Sequence, residues 1–581
     1  MGLQFLNSMY VDAQFGNDPK DMKRIMLQKD FLMMTIKDTE TGNTSLKFVE
    51  EPDVEYYVSN EPQAFPALYM PLDKVTKFNT KYNNRKKNVA HSLGMMDQFF
   101  NAIRNKTLWL FVKDMMNHPD IYMGDVDIED YSKTLFMRQH GSHFGKYRKS
   151  FSDIEVDISK YKGFPFPEIA PCVINMINHF DLSTNTFYSV VLDDPTIPSI
   201  KEIQADEAAF VAKWVDPEMN DGVKYTYKFI WCNDEREVIA NYFRVIHETK
   251  PDFCGFWNMN FDMLTILNRM KRLGMKPTEY MCHPEVPQKY RYVRYIIDEQ
   301  KPSFGAKDAD DDEDSKKSSN SKGNKHPSRL WHWAMISGYT QFYDQMSLYS
   351  NMRKRSLLPS YKLDVIGENE CGVNKVNFRK MGYTMQSVLH QNFPLFLAYA
   401  IKDTFVQKKI EEKVEDLDKY ILFSGNTRFQ KGTKISYVIK NVLMNSFMDN
   451  GWIIGNTIEY DIREKAPGAI VSRPELMLKK GLSLNGVESN VYEFVIDFDA
   501  ASQYPNLMIA FNIAKNTIHN CIFSVVANKK GADSSHEKHI SGGEAFNTAL
   551  QTIDTSLFDL GTTYFGLPTV TDLMKEIESV L

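Results

Sequence analysis

A layered α/β protein built from several domains is what this sequence predicts, and three observations predict it. The chain runs to 581 residues, well past the length at which one hydrophobic core keeps growing. From Ser152 to about Glu415, short apolar runs alternate with helix-period segments, the pattern of a layered α/β domain. Residues 1 to about 147 mix strand-like and helix-like stretches less regularly, so the expected class is multidomain, α/β and α+β. Hydrophobic residues at 43% and charged residues at 25% are ordinary for a globular chain. The net charge is −6, so any nucleic-acid contact must come from a local basic surface. Six cysteines (172, 232, 254, 282, 371 and 521) form no C-x-x-C pair, which argues for reduced thiols and against a zinc module. No apolar run approaches membrane-spanning length, and the N-terminus lacks a basic region followed by an apolar core. The expectation is a cytosolic protein.

Taken in order, Phe31 to Ile36 reads as a strand. Val112 to Asn117 reads as a helix, because Val112, Met115 and Met116 recur at helical spacing. The basic clusters Arg85-Lys86-Lys87 and Lys146 to Lys149 are expected to be solvated faces. Ala306 to Arg329 is acidic and then Ser/Lys-rich, with almost nothing to bury, and predicts a disordered surface insertion. Val406 to Phe423 predicts one charged amphipathic helix, and Lys434 to Met448 a second. A third region starts near Pro467. Within it an apolar strand ends on Asp499, and Ala527 to Gly543 reads as an exposed loop. The sequence has no internal repeat.

Three separated segments each carry acidic residues in a distinctive frame. In Phe151-Ser152-Asp153-Ile154-Glu155-Val156, a strand puts Asp153 and Glu155 on one face and Ile154 with Val156 on the other. Two carboxylates side by side repel unless a cation lies between them. In Gly255 to Asp262 the chain leaves a short apolar approach and opens a helix. Leu264, Leu267, Met270 and Leu273 are its apolar positions, and Gly274 and Pro277 end it. Asp262 lies in the first turn, where it also suits the helix dipole. In Pro394 to Asp403, Pro394 begins a helix, so Tyr399 and Asp403, four apart, share a face. Taken singly, each has a bland reading: a solvated strand face, a helix-start acid, a buried Tyr–Asp pair.

Together and in this order, D-x-E, N-x-x-F-D and Y-x-x-x-D resemble the three exonuclease motifs of the DEDDy proofreading nucleases. Gly163-Phe164-Pro165 after the first motif agrees with this, as do Ser360-Tyr361-Lys362-Leu363, Gly372 and Lys375 before the third. Asp499-Ala500-Ala501-Ser502-Gln503-Tyr504-Pro505-Asn506 is similar to motif A of the family B DNA polymerases, with Gln503 and Asn506 departing from its usual Leu and Ser. The resemblance, strongest to T-even-type phage enzymes, runs over nearly all the chain. It implies an RNase H-like 3′–5′ exonuclease at 148–415, with the insertion at 306–329. An N-terminal domain at 1–147, completed by about 416–465, and a first palm segment at 466–581 would flank it. It also implies two magnesium or manganese ions held by Asp153, Glu155, Asp262 and Asp403, with Tyr399 orienting the attacking water. The substrate would be a frayed single-stranded 3′ end at a primer–template. Asp499 would bind polymerase metal, and Ser502 and Tyr504 would lie at the incoming nucleotide. Phe261 is expected in the core.

The family's second palm motif, Y-G-D-T-D, and its fingers helix, K-x-x-x-N-S-x-Y-G, do not follow Asp499. Lys440 to Ser446 has the wrong spacing and lies before motif A, so it reads as a structural helix. The resemblance therefore implies the N-terminal part of a split polymerase. A second polypeptide would carry the fingers, the remaining palm and the thumb, and a sliding clamp would bind through that partner. A free-standing exonuclease and a non-catalytic DNA-binding remnant are the competing expectations.

Overall fold

The computed structural model describes residues 2–457 apart from 18–23, 64–65, 68, 220, 300–326, 328–329 and 354–357, together with the backbone of 483–484 and 487–488. The insertion expected at 306–329 (all but Pro327), the loop at 527–543 and the strand ending on Asp499 lie outside the described residues.

An eight-stranded sheet is the backbone of the central layer. In chain order its strands are β1 (Lys149–Val156), β2 (Ile174–Asp181), β3 (Thr186–Leu192), β4 (Thr226–Cys232), β5 (Phe253–Phe256), β6 (Val293–Glu299), β7 (Leu330–Ile336) and β8 (Gln341–Asp344). They lie side by side as β4-β3-β2-β1-β5-β8-β7-β6. The centre is parallel, β1 with β5 and β5 with β8, while β2 runs antiparallel to β1. Every residue of β2 is buried, as a strand covered on both faces requires.

Helices cover both faces. On one side lie α1 (Glu235–Thr249) and α2 (Met259–Arg272), packed over Ile154, Ile177, Val190 and Phe256. Asp234 caps α1 by accepting from the Glu237 N–H. Gly274, at φ +68°, follows α2 and makes the left-handed turn that ends it. Helices α3 (Gln345–Met352) and α4 (Leu363–Cys371) follow β8. The opposite face is closed by α5 (Phe393–Val414), buried along almost its whole length and packed with Phe151, Met176, Phe180 and Phe187. Asn392 caps α5 through the Leu395 N–H, and Pro394 occupies its first turn.

The single helix expected over Val406 to Phe423 is two helices. Glu415 adopts φ +51°, ending α5 at Val414, and α6 (Asp416–Ser424) starts afresh. The apolar rhythm continues across the break, so periodicity alone reads through it.

The lobe before β1 holds a three-stranded antiparallel sheet with Phe31–Asp38 between Leu3–Val11 and Thr44–Glu50. A helix at Leu108–Met116 covers the stretch expected to be helical at 112–117 except its last residue, Asn117, which caps it. Trp452–Ile454 pairs antiparallel with Tyr69–Pro71. Ile453 and Ile454, with Met444 of helix α7 (Ile435–Asp449), are buried against Leu32, Tyr57 and Tyr122. Lys440 to Ser446 lies within α7.

Candidate active site

Three elements bring the acidic groups together. Pleating of β1 turns Phe151, Asp153 and Glu155 towards α5, while Ile154 enters the core on the other face. Helix α5 presents Tyr399 and Asp403 one turn apart, opposite β1. Carboxylate oxygens of Asp153, Glu155 and Asp403 all lie within 4.8 Å of one another. Asp262, buried in the first turn of α2, stands outside that trio, yet Asp153 and Glu155 both act on its charge.

The electrostatics follow from burial. Glu155 is held well above the ordinary carboxylate range by burial, then by Asp153 and Asp403 beside it. Asp153 is pushed up to about 7, again by burial first and Asp403 second, with Lys375 opposing. Burial raises Asp262 too, helped by Asp153, Asp344 and Glu155. Asp403 is also raised by burial, but its neighbour Lys375 pulls it back. Lys375 donates to Asp403 Oδ2 at 2.5 Å and to the Tyr399 hydroxyl at 3.3 Å. Burial and Asp403 keep Tyr399 a neutral phenol, well above its ordinary value. That phenol can donate a hydrogen bond and cannot act as a base near neutrality.

The donor set suits a hard divalent cation: carboxylate oxygens with no sulfur or imidazole among them. Asp403 Oδ1 is buried with no hydrogen-bond partner, and a coordinated ion would satisfy it. Between β1 and β2, Phe164 and Phe166 expose their rings. Phe164 packs on Phe261 at 5.7 Å between ring centres. Phe261 itself is partly buried against the core that includes Met259 and Met263.

This geometry coincides with a family match over part of the chain. Residues 146–320 match the family model described as DNA polymerase family B, exonuclease domain, which agrees with the RNase H-like layering of the sheet. Over much of its length the chain is similar to T-even-type phage family B polymerases. It is 22% identical over 428 residues to the DNA-directed DNA polymerase of Escherichia phage RB69, covering 72% of this chain and 41% of that protein. With the DNA-directed DNA polymerase of Enterobacteria phage T4 it shares 20% over 489 residues, 83% of this chain and 47% of that one. The DNA polymerase delta catalytic subunit of Plasmodium falciparum is 22% identical over 303 residues, 50% of this chain and 23% of that one. The chain thus spans about half the length, or less, of the curated relatives it matches.

Asp499, Ser502 and Tyr504 lie outside the described residues. Two groups near the acids escaped the sequence reading. Lys375 stood out only as part of the motif context, and nothing local marks its reach to Asp403. Asp344 ends an apolar strand three residues before Ser347, a helix-start pattern that is common and carries no hint of the site.

Proposed function

We propose that this chain carries a metal-dependent 3′–5′ exonuclease acting on single-stranded DNA 3′ ends, in the manner of a proofreading domain. The observation that carries the reading is the convergence of Asp153, Glu155 and Asp403 oxygens within 4.8 Å, with Asp403 Oδ1 unpartnered. Asp153, Glu155, Asp262 and Asp403 would hold the ions. When bound, a pair of magnesium or manganese ions supplies the Lewis acidity that activates water and steadies the departing 3′-oxygen. The protein's own groups position the reactants. Tyr399, a neutral phenol beside Asp403, orients the attacking water by donating or accepting a hydrogen bond. Lys375 fixes Tyr399 and Asp403 relative to each other and offers positive charge towards the phosphodiester. The exposed rings of Phe164 and Phe166 offer stacking surfaces to unpaired bases, which favours a single strand over a duplex end.

Asp499, Ser502 and Tyr504 would form the motif A half of a polymerase site. Synthesis would draw its fingers and second palm motif from sequence beyond these 581 residues, in the same polypeptide or in a second one. The site of action would be the host cytoplasm, with primer–template DNA as partner and a sliding clamp engaged through the missing part.

The test is magnesium-dependent digestion of a 5′-labelled primer with a mismatched 3′ end. Asp153→Ala should slow it by roughly 10²-fold or more. Wild-type protein that binds the primer but leaves its length unchanged would make the chain a DNA-binding remnant. Extension on adding deoxynucleotides and a polypeptide bearing Y-G-D-T-D tests the polymerase half.

A further inference from the structure

Beyond the acids themselves, one buried corner links the three elements that carry them. Asp344, the last residue of β8, is fully buried. Its Oδ1 accepts from the Ser347 N–H at 2.6 Å, capping α3. Its Oδ2 accepts from the Met259 N–H at 3.0 Å, at the first residue of α2. Asn258, which should cap α2, makes no side-chain cap bond. One carboxylate therefore serves two helices that begin after adjacent parallel strands, β5 and β8. The next two residues continue the bracing. Met346 N–H donates to the Trp257 carbonyl at 3.0 Å, just before α2. Gln345 Nε2 donates to the Gln407 carbonyl of α5 at 3.0 Å, one turn past Asp403. Gln407 Nε2 in turn reaches the Ser152 carbonyl of β1 at 3.3 Å, beside Asp153.

A cap at α2 usually fixes only the helix. Here Asp262 lies three residues past the anchored Met259, and its own N–H makes the helix's first bond to a carbonyl four residues back, that of Asn258 at 3.1 Å. The position of its carboxylate is set by how firmly that turn is held. Asp344 also lies close enough for its charge to act on Asp262.

We infer that Asp344 is a positioning residue for the metal site, holding the first turn of α2 so that Asp262 faces the Asp153–Glu155–Asp403 trio. This rests on the two-metal reading above. Asp344 would touch neither ion nor DNA; it acts through the Met259 N–H.

Asp344→Asn and Asp344→Ser separate the two arms, because Asn and Ser are both good caps for α3. Neither can also serve Met259 as the carboxylate does: Asn turns an N–H towards the Met259 N–H, and the Ser hydroxyl is too short. Manganese alone is the probe, titrated into the full chain and followed by the electron paramagnetic resonance signal of the free ion. Circular dichroism and melting without metal report folding. Both variants should fold, bind manganese about 10–100-fold more weakly, and lose kcat on a single-stranded oligonucleotide with KM for that oligonucleotide unchanged. If they bind as wild type does while Asp262→Asn weakens binding, Asp344 is only a cap and the inference fails with the two-metal reading intact. If Glu155→Gln and Asp262→Asn also bind as wild type does, the two-metal reading itself fails. If neither Asp344 variant folds, Asp344 serves the fold, and the positioning role is overturned.

Discussion

Lys375 is the cation that the acidic pocket keeps nearest to hand. Its ammonium touches Asp403 and the Tyr399 hydroxyl together, so removing it frees both from their mutual alignment. Lys375→Ala is expected to slow digestion of a single-stranded 3′ end by roughly 10–100-fold, the range for removing a group that orients metal ligands. Steady-state rates at saturating magnesium measure this, and a rate within twofold of wild type would remove Lys375 from the mechanism. Within the sheet, His179 of β2 is fully buried beside β1, with Nδ1 3.0 Å from the Ser152 hydroxyl. Burial lowers it to about 4, with Asp181 opposing. Between about 6.5 and about 4 the unfolded chain therefore takes up a proton that the folded chain refuses. Stability is present above that window and is lost as pH falls through it, by up to roughly 3 kcal/mol. Urea unfolding at pH 7 and pH 4.5 should show wild type losing ground to His179→Gln at the lower pH.

Helix packing around the site is tight where α4 meets α5. A Cβ on Gly367 of α4 would come within 2.6 Å of the Val373 carbonyl oxygen and of Val406 Cγ1. Gly367→Ala is thus expected to destabilise the protein by roughly 1–3 kcal/mol, read as a lower urea midpoint. Because α5 carries Asp403, the proposed digestion of a single-stranded 3′ end should slow as well. At this scale the sequence was readable wherever a local signal coincided with an element. Pro394 marks the start of α5, Gly274 the end of α2, and strict alternation along β1 separates Asp153 and Glu155 from Ile154. It was unreadable where tertiary approach decides. Glu415 breaks a helix whose apolar rhythm continues beyond it, and its left-handed backbone has no sequence signature like that of glycine. Lys375 and Asp344 owe their places to groups 28 and 85 positions away, the Asp403 carboxylate and the Met259 backbone N–H. No spacing rule covers those distances.

Across the described part of the molecule, a buried ion pair joins the first lobe to the layered domain. Lys37, in the strand Phe31–Asp38, donates to Asp252 Oδ2 at 2.6 Å, and the Arg148 N–H reaches the same oxygen at 2.8 Å. Both partners of the Lys37–Asp252 pair are nearly free of solvent. Asp252→Ala would strand Lys37 in that environment, at a cost of roughly 3–5 kcal/mol. Calorimetry should show the main transition at lower temperature, and an unchanged transition would make the contact incidental. Pairing of Tyr69–Pro71 with Trp452–Ile454 reaches further still along the chain. Its second strand is made about 380 residues after the first. At a synthesis rate of about 5–20 residues per second, the early lobe emerges from the ribosome with one edge bare for tens of seconds. The layered α/β domain is translated in that interval and can fold ahead of the lobe that precedes it.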